Sequence, residues 1–478
     1  METLKEKTAR GLFWGGMNNG VQQLIGLLTG IILGRLLSPG DFGLVAMITI
    51  FSVVATELQS SGFKTALTNL KQPTANDYNS VFWFNIVVSA CIYVVLFCCA
   101  PLIADYYHRP ELVALCRYLF LGFVFSSFGL AQSAWLFKNL RTKQQAKSGM
   151  TAIVVSNVVG IVMAWRGFAY WSIATQTLVY ILTNTFMLWH YSPWRPTLSW
   201  DSGPVRRMFR FSCKIMASAI LTQVNNNILN IILGRYYSAR ETGYYNQAYQ
   251  WNYKGSYTLQ GMVQTVAQPI FVDLKDDSQR QLRALRKLIR FAAFVSFPLL
   301  FGFSLVAKEF IVLAITDRWL TSAGYLQVLC LCGAVMPLCT LMSNLIISKG
   351  RSDIYMWCTL ALGLCEIALM LSLTAFGVRQ MVVAFTVLNV AWLFVWHFFV
   401  WRLTGYSLPM LLADILPFAL SAGATMLVTY YATRCIGNLW LLLGARIAMA
   451  AVVYVAVMKL AHAKILDEAL GFLRKKTG

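Results

Sequence analysis

The sequence predicts an all-α polytopic membrane protein with fourteen transmembrane helices: two six-helix lobes that are parallel repeats, followed by helices 13 and 14. The first reason is composition. Of the 478 residues, 58% are hydrophobic and 12% are charged, whereas about a quarter of a soluble protein is charged. The second is that fourteen segments reach the roughly 20 mainly apolar residues that cross a bilayer. The third is a stretch that occurs twice in the chain.

The predicted spans follow one another with connections too short for a soluble domain. They cover residues 11–35, 42–63, 79–103, 113–136, 148–166, 168–190, 209–234, 244–270, 288–307, 322–348, 354–376, 380–401, 411–432 and 439–459. The first span follows three basic residues, as a signal peptide would. Its polar residues and its lack of a small-residue cleavage site indicate that it stays in the mature protein.

The repeated stretch is the pentapeptide Ile-Ile-Leu-Gly-Arg, found at 31–35 and again at 231–235. Flanking residues match at the same offset. They are Gln23 and Gln223, Ser38 and Ser238, Asp41 and Glu241, and Gly43 and Gly243. This pattern indicates an internal duplication, and many transporters are built from repeated halves. The predicted domains are an N-terminal lobe at 1–193, a C-terminal lobe at 194–403, and 404–478 with the last two helices and a tail.

The serine and the acid after each repeat fit a helix-capping pattern. Ser38 and Ser238 can each accept a bond from the first turn of the next helix, while Asp41 or Glu241 returns a bond to the serine N–H. We therefore expect these residues to be structural.

Basic residues set the predicted orientation. The net charge is +21, and most lysines and arginines fall in alternate connections, which the positive-inside rule assigns to the cytoplasm together with both termini. The segments 271–290 and 195–210 have arginines between apolar residues, which is typical of surface helices that bind anionic lipid. The charge is therefore assigned to the membrane surface, and no nucleic-acid partner is expected.

Polar side chains recur at helical spacing in spans 1 and 7, at equivalent positions of the duplication. The candidate cavity residues are Asn18, Gln22, Gln23, Gln223, Asn225, Asn226 and Asn230. Lipid offers such groups no hydrogen-bond partner, so they should face protein or water. Two related stripes favour a shared water-filled cavity, and hydrogen bonding between helices is the alternative.

Span 8 has a polar face with one cation near the middle of the bilayer. Lys254 lies there together with Gln250, Tyr249 and Tyr253. A lysine at that depth costs roughly 3 kcal/mol on insertion scales and is a functional candidate. The alternative is that it extends to the interface or pairs with an acid.

Two acids lie within predicted spans, Glu57 in span 2 and Glu366 in span 11. Either can be a coupling acid that binds a driving cation, or a structural partner of a basic group. Arg35 and Arg235 end spans 1 and 7. They are either interfacial anchors, each worth roughly 0.3–1 kcal/mol through the helix dipole, or contacts for an anionic substrate at the outer exit.

Several motifs resemble those of a known family. They are residues 4–8, Gly11, Trp14, 32–39, 41–43 and 243–249. On these motifs the chain resembles the Wzx-like polysaccharide flippases of the multidrug/oligosaccharidyl-lipid/polysaccharide (MOP) superfamily, in the branch that exports colanic acid and lipopolysaccharide. The resemblance extends over essentially the whole chain.

The resemblance implies a fold, a place and a substrate. The fold is two six-helix lobes in a V with a central, often cationic cavity. The place is the bacterial inner membrane, and the substrate is an undecaprenyl-diphosphate-linked oligosaccharide that is moved by alternating access. A diphosphate needs cationic donors, and sugars need amides, hydroxyls and aromatic faces. The candidate cavity residues offer these groups. We expect the protein to act as a monomer.

Two other classes of protein compete with this interpretation. A multidrug extruder of the same superfamily usually has twelve spans and an acid in the first helix, where this chain has Asn18 and Asn19. A membrane polysaccharide polymerase or ligase needs a large outer loop with catalytic residues. The chain has four histidines, none in a nucleophile pattern, so no enzyme is predicted. Its cysteines have no metal-ligand spacing, so neither a metal nor a cofactor is predicted.

Overall fold

The computed structural model describes residues 4–60, 63–70, 72–199, 201–274 and 277–460. Within them the chain is helical, without β-strands. It forms two compact units, Met1–Gly243 and Tyr244–Gly478. The predicted lobes are defined by the duplication rather than by contacts, so their boundaries at 193 and 403 stay a prediction.

Eight helices belong to the first unit. They are α1 (Leu4–Leu36), α2 (Pro39–Ser60), α3 (Phe63–Asn69), α4 (Ala75–Tyr107), α5 (Glu111–Lys138), α6 (Thr142–Trp165), α7 (Tyr170–Tyr191) and α8 (Ser202–Tyr236). Its largest apolar cluster lies among α2, α4 and α5, where Met47, Phe120 and Tyr107 are buried. Helix α8 packs against α2 and α4.

The second unit contains the remaining long helices, the first of which starts just before the unit boundary. They are α9 (Ala239–Asp273), α10 (Ser278–Ala314), α11 (Leu320–Ser348), α12 (Ser352–Ser372), α13 (Val378–Thr404), α14 (Leu408–Thr433) and α15 (Leu439–Leu460). A single 3-10 turn, Asp317–Trp319, precedes α11. Helices α10 and α11 share one of the most extensive helix pairings in the protein, and α14 packs on α10.

Each of the fourteen predicted spans overlaps one long helix, and among the described residues the short α3 and one 3-10 turn are additional. Ten of the long helices are both long and apolar enough to cross a membrane, so the protein is a multi-pass membrane protein. Over the described residues, α1, α7, α8 and α9 are not among these ten, and α1, α8 and α9 contain the polar residues singled out in the sequence. The count of fourteen crossings therefore stays a prediction.

The starts of α2 and α9 reproduce the duplication. Asp41 accepts bonds from the Ser38 N–H (2.9 Å) and hydroxyl (2.6 Å), and the Glu241 N–H donates to the Ser238 hydroxyl at 3.2 Å. The predicted serine caps are thus confirmed. These two helix starts also cross each other closely, because each contributes a glycine at the crossing.

The contacts at this crossing are reciprocal. A Cβ atom on Gly43 would collide with the backbone carbonyl of Ala239, and one on Gly243 would collide with that of Pro39. Positions 39 and 239, like 43 and 243, are the same position in the two repeats. The crossing therefore has an approximate twofold relation, which supports the duplication independently of the pentapeptide.

The two basic segments predicted to be surface helices differ in structure. The helix α10 begins at Ser278 and includes Arg283, Arg286, Lys287 and Arg290, as expected. Residues 192–199, by contrast, are not helical, and helix α8 begins only at Ser202. The side chain of Asn79 in α4 fixes this segment: it accepts from the Thr197 N–H at 2.8 Å and donates to the Ser199 carbonyl.

A buried ion pair attaches the last two helices to the second unit. Arg446 of α15 lies 2.8 Å from Glu309 of α10, donates to the Leu305 carbonyl at 3.2 Å and stacks over Tyr430 of α14. Breaking one side of such a pair would leave an uncompensated buried charge, which costs about 3–5 kcal/mol.

Candidate functional site

Four tyrosines form a continuous ladder along α9. Tyr245, Tyr249, Tyr253 and Tyr257 follow at intervals of four residues, so they share one side of the helix. Successive ring centroids lie 5.9, 6.1 and 4.9 Å apart, and the last two pairs are stacked. Tyr245 is buried, whereas Tyr253 is 38% and Tyr257 48% exposed. The ladder therefore leads from the protein interior to an open aromatic surface.

The ammonium of Lys254 lies beside this ladder, over the face of Trp251. The distance from Nζ to the ring centroid is 4.5 Å. Trp251 is buried and Lys254 is half-buried. A cation over an indole face gains about 0.5–2 kcal/mol, which lipid would not provide. The tryptophan face thus stabilises the ammonium form of Lys254, while neighbouring Gln250 is exposed.

The polar side of α9 continues into a groove at the end of the helix. This groove has a volume of about 500 Å³ and is lined by Gln264, Thr265, Gln268, Pro269, Val272 and Asp273. At 100° per residue, Gln264 and Gln268 fall on the same side of the helix as Tyr257. One side of α9 therefore presents aromatic rings, a cation and amides over most of its length.

Glu366 of α12 is a buried carboxylate with one satisfied oxygen. Its exposure is 2%. Its Oε1 accepts from the Asn389 amide of α13 at 3.0 Å, whereas Oε2 has no hydrogen-bond partner among the described residues. The nearby Thr386 hydroxyl is likewise buried without one. Glu366 is more deeply buried than Glu57, and sequence analysis did not identify Asn389 as its partner.

Glu57 has a different environment in the first unit. It is half-buried, and its neighbour Gln59 faces the protein interior instead. The Gln59 carbonyl oxygen accepts from the Ser126 hydroxyl at 3.1 Å, and its amide nitrogen lacks a partner within the part of the chain that the structure describes. Nothing in this geometry distinguishes a coupling role for Glu57 from a structural one.

The two predicted polar stripes are only partly exposed. In α1, Gln23 is exposed and Gln22 half-buried, and the side chain of Asn18 lies outside the described residues. In α8, Asn226 is exposed, and Gln223 and Asn225 are half-buried. Asn230 is buried, and its side-chain oxygen has no partner in the described ranges. The α8 stripe thus turns from an accessible surface at Asn226 into the protein interior at Asn230.

The two repeat arginines are not equivalent. Arg35 is exposed. Arg235 is half-buried, donates to the Tyr106 carbonyl at 2.6 Å and contacts His108 Nε2. Its guanidinium also lies 5.2 Å from the centroid of the Tyr106 ring. These contacts fix the end of α4, which is what an anchoring arginine does.

The arrangement in the second unit suits a ligand with both anionic and sugar-like parts. A lysine supplies charge, glutamines supply amide donors and acceptors, and tyrosines supply flat surfaces with hydroxyls. The described residues contain no cluster of three or more acidic, histidine or cysteine side chains that could hold a metal ion.

Comparisons with known proteins agree with this architecture. A family model described as polysaccharide biosynthesis protein matches residues 32–324. The lipopolysaccharide biosynthesis protein WzxC of Escherichia coli K12 is 24% identical over 358 residues, covering 74% of this chain and 72% of its own. The teichuronic acid biosynthesis protein TuaB of Bacillus subtilis is 27% identical over 367 residues, covering 74% of each chain.

Solved structures show the same fold at low sequence identity. The lipid II flippase MurJ, in an inward closed conformation, aligns with a TM-score of 0.74 at 14% identity, over 95% of this chain and 100% of its own. An inward-facing MATE multidrug transporter of the MOP superfamily aligns with a TM-score of 0.65 at 15% identity, over 79% and 93%. With the family model matching more than half of the sequence, the chain belongs to the polysaccharide biosynthesis protein family and has the MOP transporter fold.

Proposed function

We propose that the protein is a flippase that moves an undecaprenyl-diphosphate-linked oligosaccharide across the bacterial inner membrane by alternating access, for the synthesis of a surface polysaccharide. Its family membership supports a role in polysaccharide export, as do relatives named for lipopolysaccharide and teichuronic acid biosynthesis. Its fold is shared with a protein named lipid II flippase.

The observation that carries the proposal is the side of α9 with Lys254 and the tyrosine ladder. A phosphate oxygen and an ammonium form a charge-assisted hydrogen bond, which is about twice as strong as a neutral one. The exposed rings of Tyr253 and Tyr257 can stack on sugar rings, and Gln250 can bond their hydroxyls. A ligand with a phosphate and sugar rings would use both the ammonium and the aromatic rings, and the ammonium disfavours a cationic ligand.

Glu366 is the proposed coupling acid. A carboxylate with one orphan oxygen can take up a proton or a small cation, and Asn389 holds the other oxygen in place. Binding of a cation there drives transport only if the affinity differs between the inward and outward states. Further candidates for the transport path are Glu57, Arg35 and the amides of α1 and α8. Arg235 is also a candidate, although its side chain already contacts Tyr106 and His108.

The placement in the membrane completes the proposal. The protein acts as a monomer in the inner membrane with fourteen crossings, both termini face the cytoplasm, and the basic start of α10 lies against anionic lipid at that face. No enzymatic step is assigned to it.

Substitution of Lys254 tests the function. Lys254→Ala should abolish or strongly reduce export of the polysaccharide in a flippase-deficient strain, and Lys254→Arg should retain part of it because the charge remains. Lys308→Ala is the matched control, since Lys308 is an exposed lysine on α10. Membrane protein level is measured for each variant. Full export by Lys254→Ala at normal protein level would reject the proposed role of this site.

A further inference from the structure

A second cationic site is built around a buried aspartate where α10 and α14 begin. Asp414 is 0% exposed. It accepts from Arg286 Nε at 2.8 Å and Nη2 at 3.1 Å, from Arg290 Nε at 2.5 Å and from the Tyr406 hydroxyl at 3.0 Å. Four donors on one carboxylate satisfy it fully, so the two guanidinium groups are held in fixed positions.

The site carries more positive charge than the aspartate neutralises. Two guanidinium groups face one carboxylate, and Tyr406 adds no charge because burial raises the pKa of its hydroxyl. The arginines are also accessible, with side-chain exposures of 30% for Arg286 and 43% for Arg290. Arg290 bonds Asp414 through Nε, and among the described residues its two amino groups donate no further hydrogen bond. One positive charge in excess thus faces the surroundings.

An apolar groove begins deeper along the same side of α10. Phe297 and Phe301 follow Arg290 by seven and eleven residues, which places them on the same side of the helix and about 10 and 16 Å further along it. They line a groove of about 510 Å³ with apolar residues of α11, α13 and α14. Its wall on α14 includes Leu411 and Ile415, on either side of Asp414 in the sequence.

We propose that this is a binding site for an anionic phospholipid, with the headgroup phosphate on Arg286 and Arg290 and an acyl chain in the groove. The order of the features, cations at the start of α10 and an apolar channel about two to three turns deeper, matches the order of phosphate and chain in a phospholipid. Basic pockets between transmembrane helices bind such headgroups elsewhere.

The charge favours a phospholipid over other phosphate carriers. The excess of one positive charge matches a phosphodiester, which carries one negative charge, better than a diphosphate. Free phosphate would leave the apolar groove empty. The site is built from other helices than the face of α9, so it does not depend on the transport role proposed for Lys254. It rests on the proposed contact of the basic start of α10 with anionic lipid and specifies the lipid and its binding site.

The test uses the full chain purified in neutral detergent and native mass spectrometry. Phosphatidylglycerol, phosphatidylcholine with the same acyl chains, and inorganic phosphate are added in turn. The first phosphatidylglycerol should bind about tenfold more tightly than phosphatidylcholine, because the choline ammonium offsets the phosphate charge that both lipids carry. Inorganic phosphate at the same concentration should not displace it.

Two pairs of variants separate the headgroup from the chain. Arg290→Gln should weaken phosphatidylglycerol binding about tenfold while Arg286 still pairs with Asp414, and Arg283→Gln, an exposed arginine of the same helix, should leave it unchanged. Ala391→Phe fills the groove and should also weaken binding. Ala456→Phe, at an exposed position of α15 away from the groove, should not.

Four results would overturn the site. Equal loss in Arg290→Gln and Arg283→Gln would indicate diffuse attraction to a basic helix. Equal binding of phosphatidylcholine would contradict selection for the anionic headgroup. Displacement by inorganic phosphate, or normal binding by Ala391→Phe, would contradict binding of an acyl chain in the groove. Because Ala391 is distant from the aspartate cluster in sequence and has no part in its bonds, its variant remains informative if Arg290→Gln fails to fold.

Discussion

Replacing one side-chain oxygen of Glu366 by nitrogen, in Glu366→Gln, distinguishes a structural role of this acid from a cation-binding role. If the acid is only a structural partner of Asn389, Glu366→Gln should be tolerated, because a glutamine oxygen can still accept the hydrogen bond from the Asn389 side-chain amide. If the acid binds a driving cation, the variant loses that charge. We expect Glu366→Gln to reduce gradient-driven transport in proteoliposomes about tenfold or more, the effect of losing one bond to a charged group.

The measurement compares transport with and without a proton or sodium gradient. Asn389→Ala, which removes the amide but keeps the carboxylate, should reduce transport less than Glu366→Gln. A variant Glu366→Gln that still responds fully to the gradient would make Glu366 a structural residue.

The exposed tyrosines of the ladder permit a second test at the residue scale. Tyr257→Ala removes a flat apolar surface, and aromatic contacts are worth about 0.5–1.5 kcal/mol, so export should fall by roughly two- to tenfold. Tyr257→Phe keeps the ring and should export nearly normally. Tyr431→Ala is the control, since Tyr431 is an exposed tyrosine on α14. An unaffected Tyr257→Ala variant would contradict sugar stacking at this ring.

At the scale of helices, the crossing of α2 and α9 depends on two glycines. Gly43→Ala or Gly243→Ala would place a methyl group against a backbone carbonyl, which cannot rotate away. Each should destabilise the protein by about 1–3 kcal/mol, the usual range for overpacking. The double variant should cost less than the sum, because either methyl group already separates the same two helices.

Thermal unfolding of the detergent-solubilised variants measures this effect. Gly40→Ala is the matched control near the start of α2, where a Cβ would meet only the Ser38 hydroxyl at 3.7 Å. Additive losses in the double variant, or a loss in Gly40→Ala as large as in Gly43→Ala, would refute the shared crossing.

The same helices show what can be predicted from sequence. Periodicity and length located every long helix, and Ser38 with Asp41 predicted a cap, because these depend on residues near each other in the chain. The meeting of Gly43 with Ala239, of Glu366 with Asn389, and of Arg286 with Asp414 depends on which helices pack together, and one sequence contains no signal for that. Arg286 was accordingly predicted as a surface cation without its buried partner.

At the scale of the whole molecule, the arrangement of charge and helix length makes the topology testable. Helix α12 has 21 residues, about 32 Å at 1.5 Å per residue, enough to cross a bilayer once. Its preceding connection contains Lys349 and Arg351, whereas the connection that follows, 373–377, contains no lysine or arginine. The positive-inside rule therefore places the first connection in the cytoplasm and the second outside.

Reporter fusions at three connections test this orientation. A fusion at 349–353 should report the cytoplasm, and fusions at 375–380 and 434–438 should report the outside. The last site lies between α14 and α15 and contains Arg434. It is therefore the stricter test, because Arg434 by itself would favour the cytoplasm. The site lies outside only if the chain crosses the membrane an even number of times after 375–380. A reversed pattern would place the basic start of α10 on the outer face and remove the assignment of both termini to the cytoplasm.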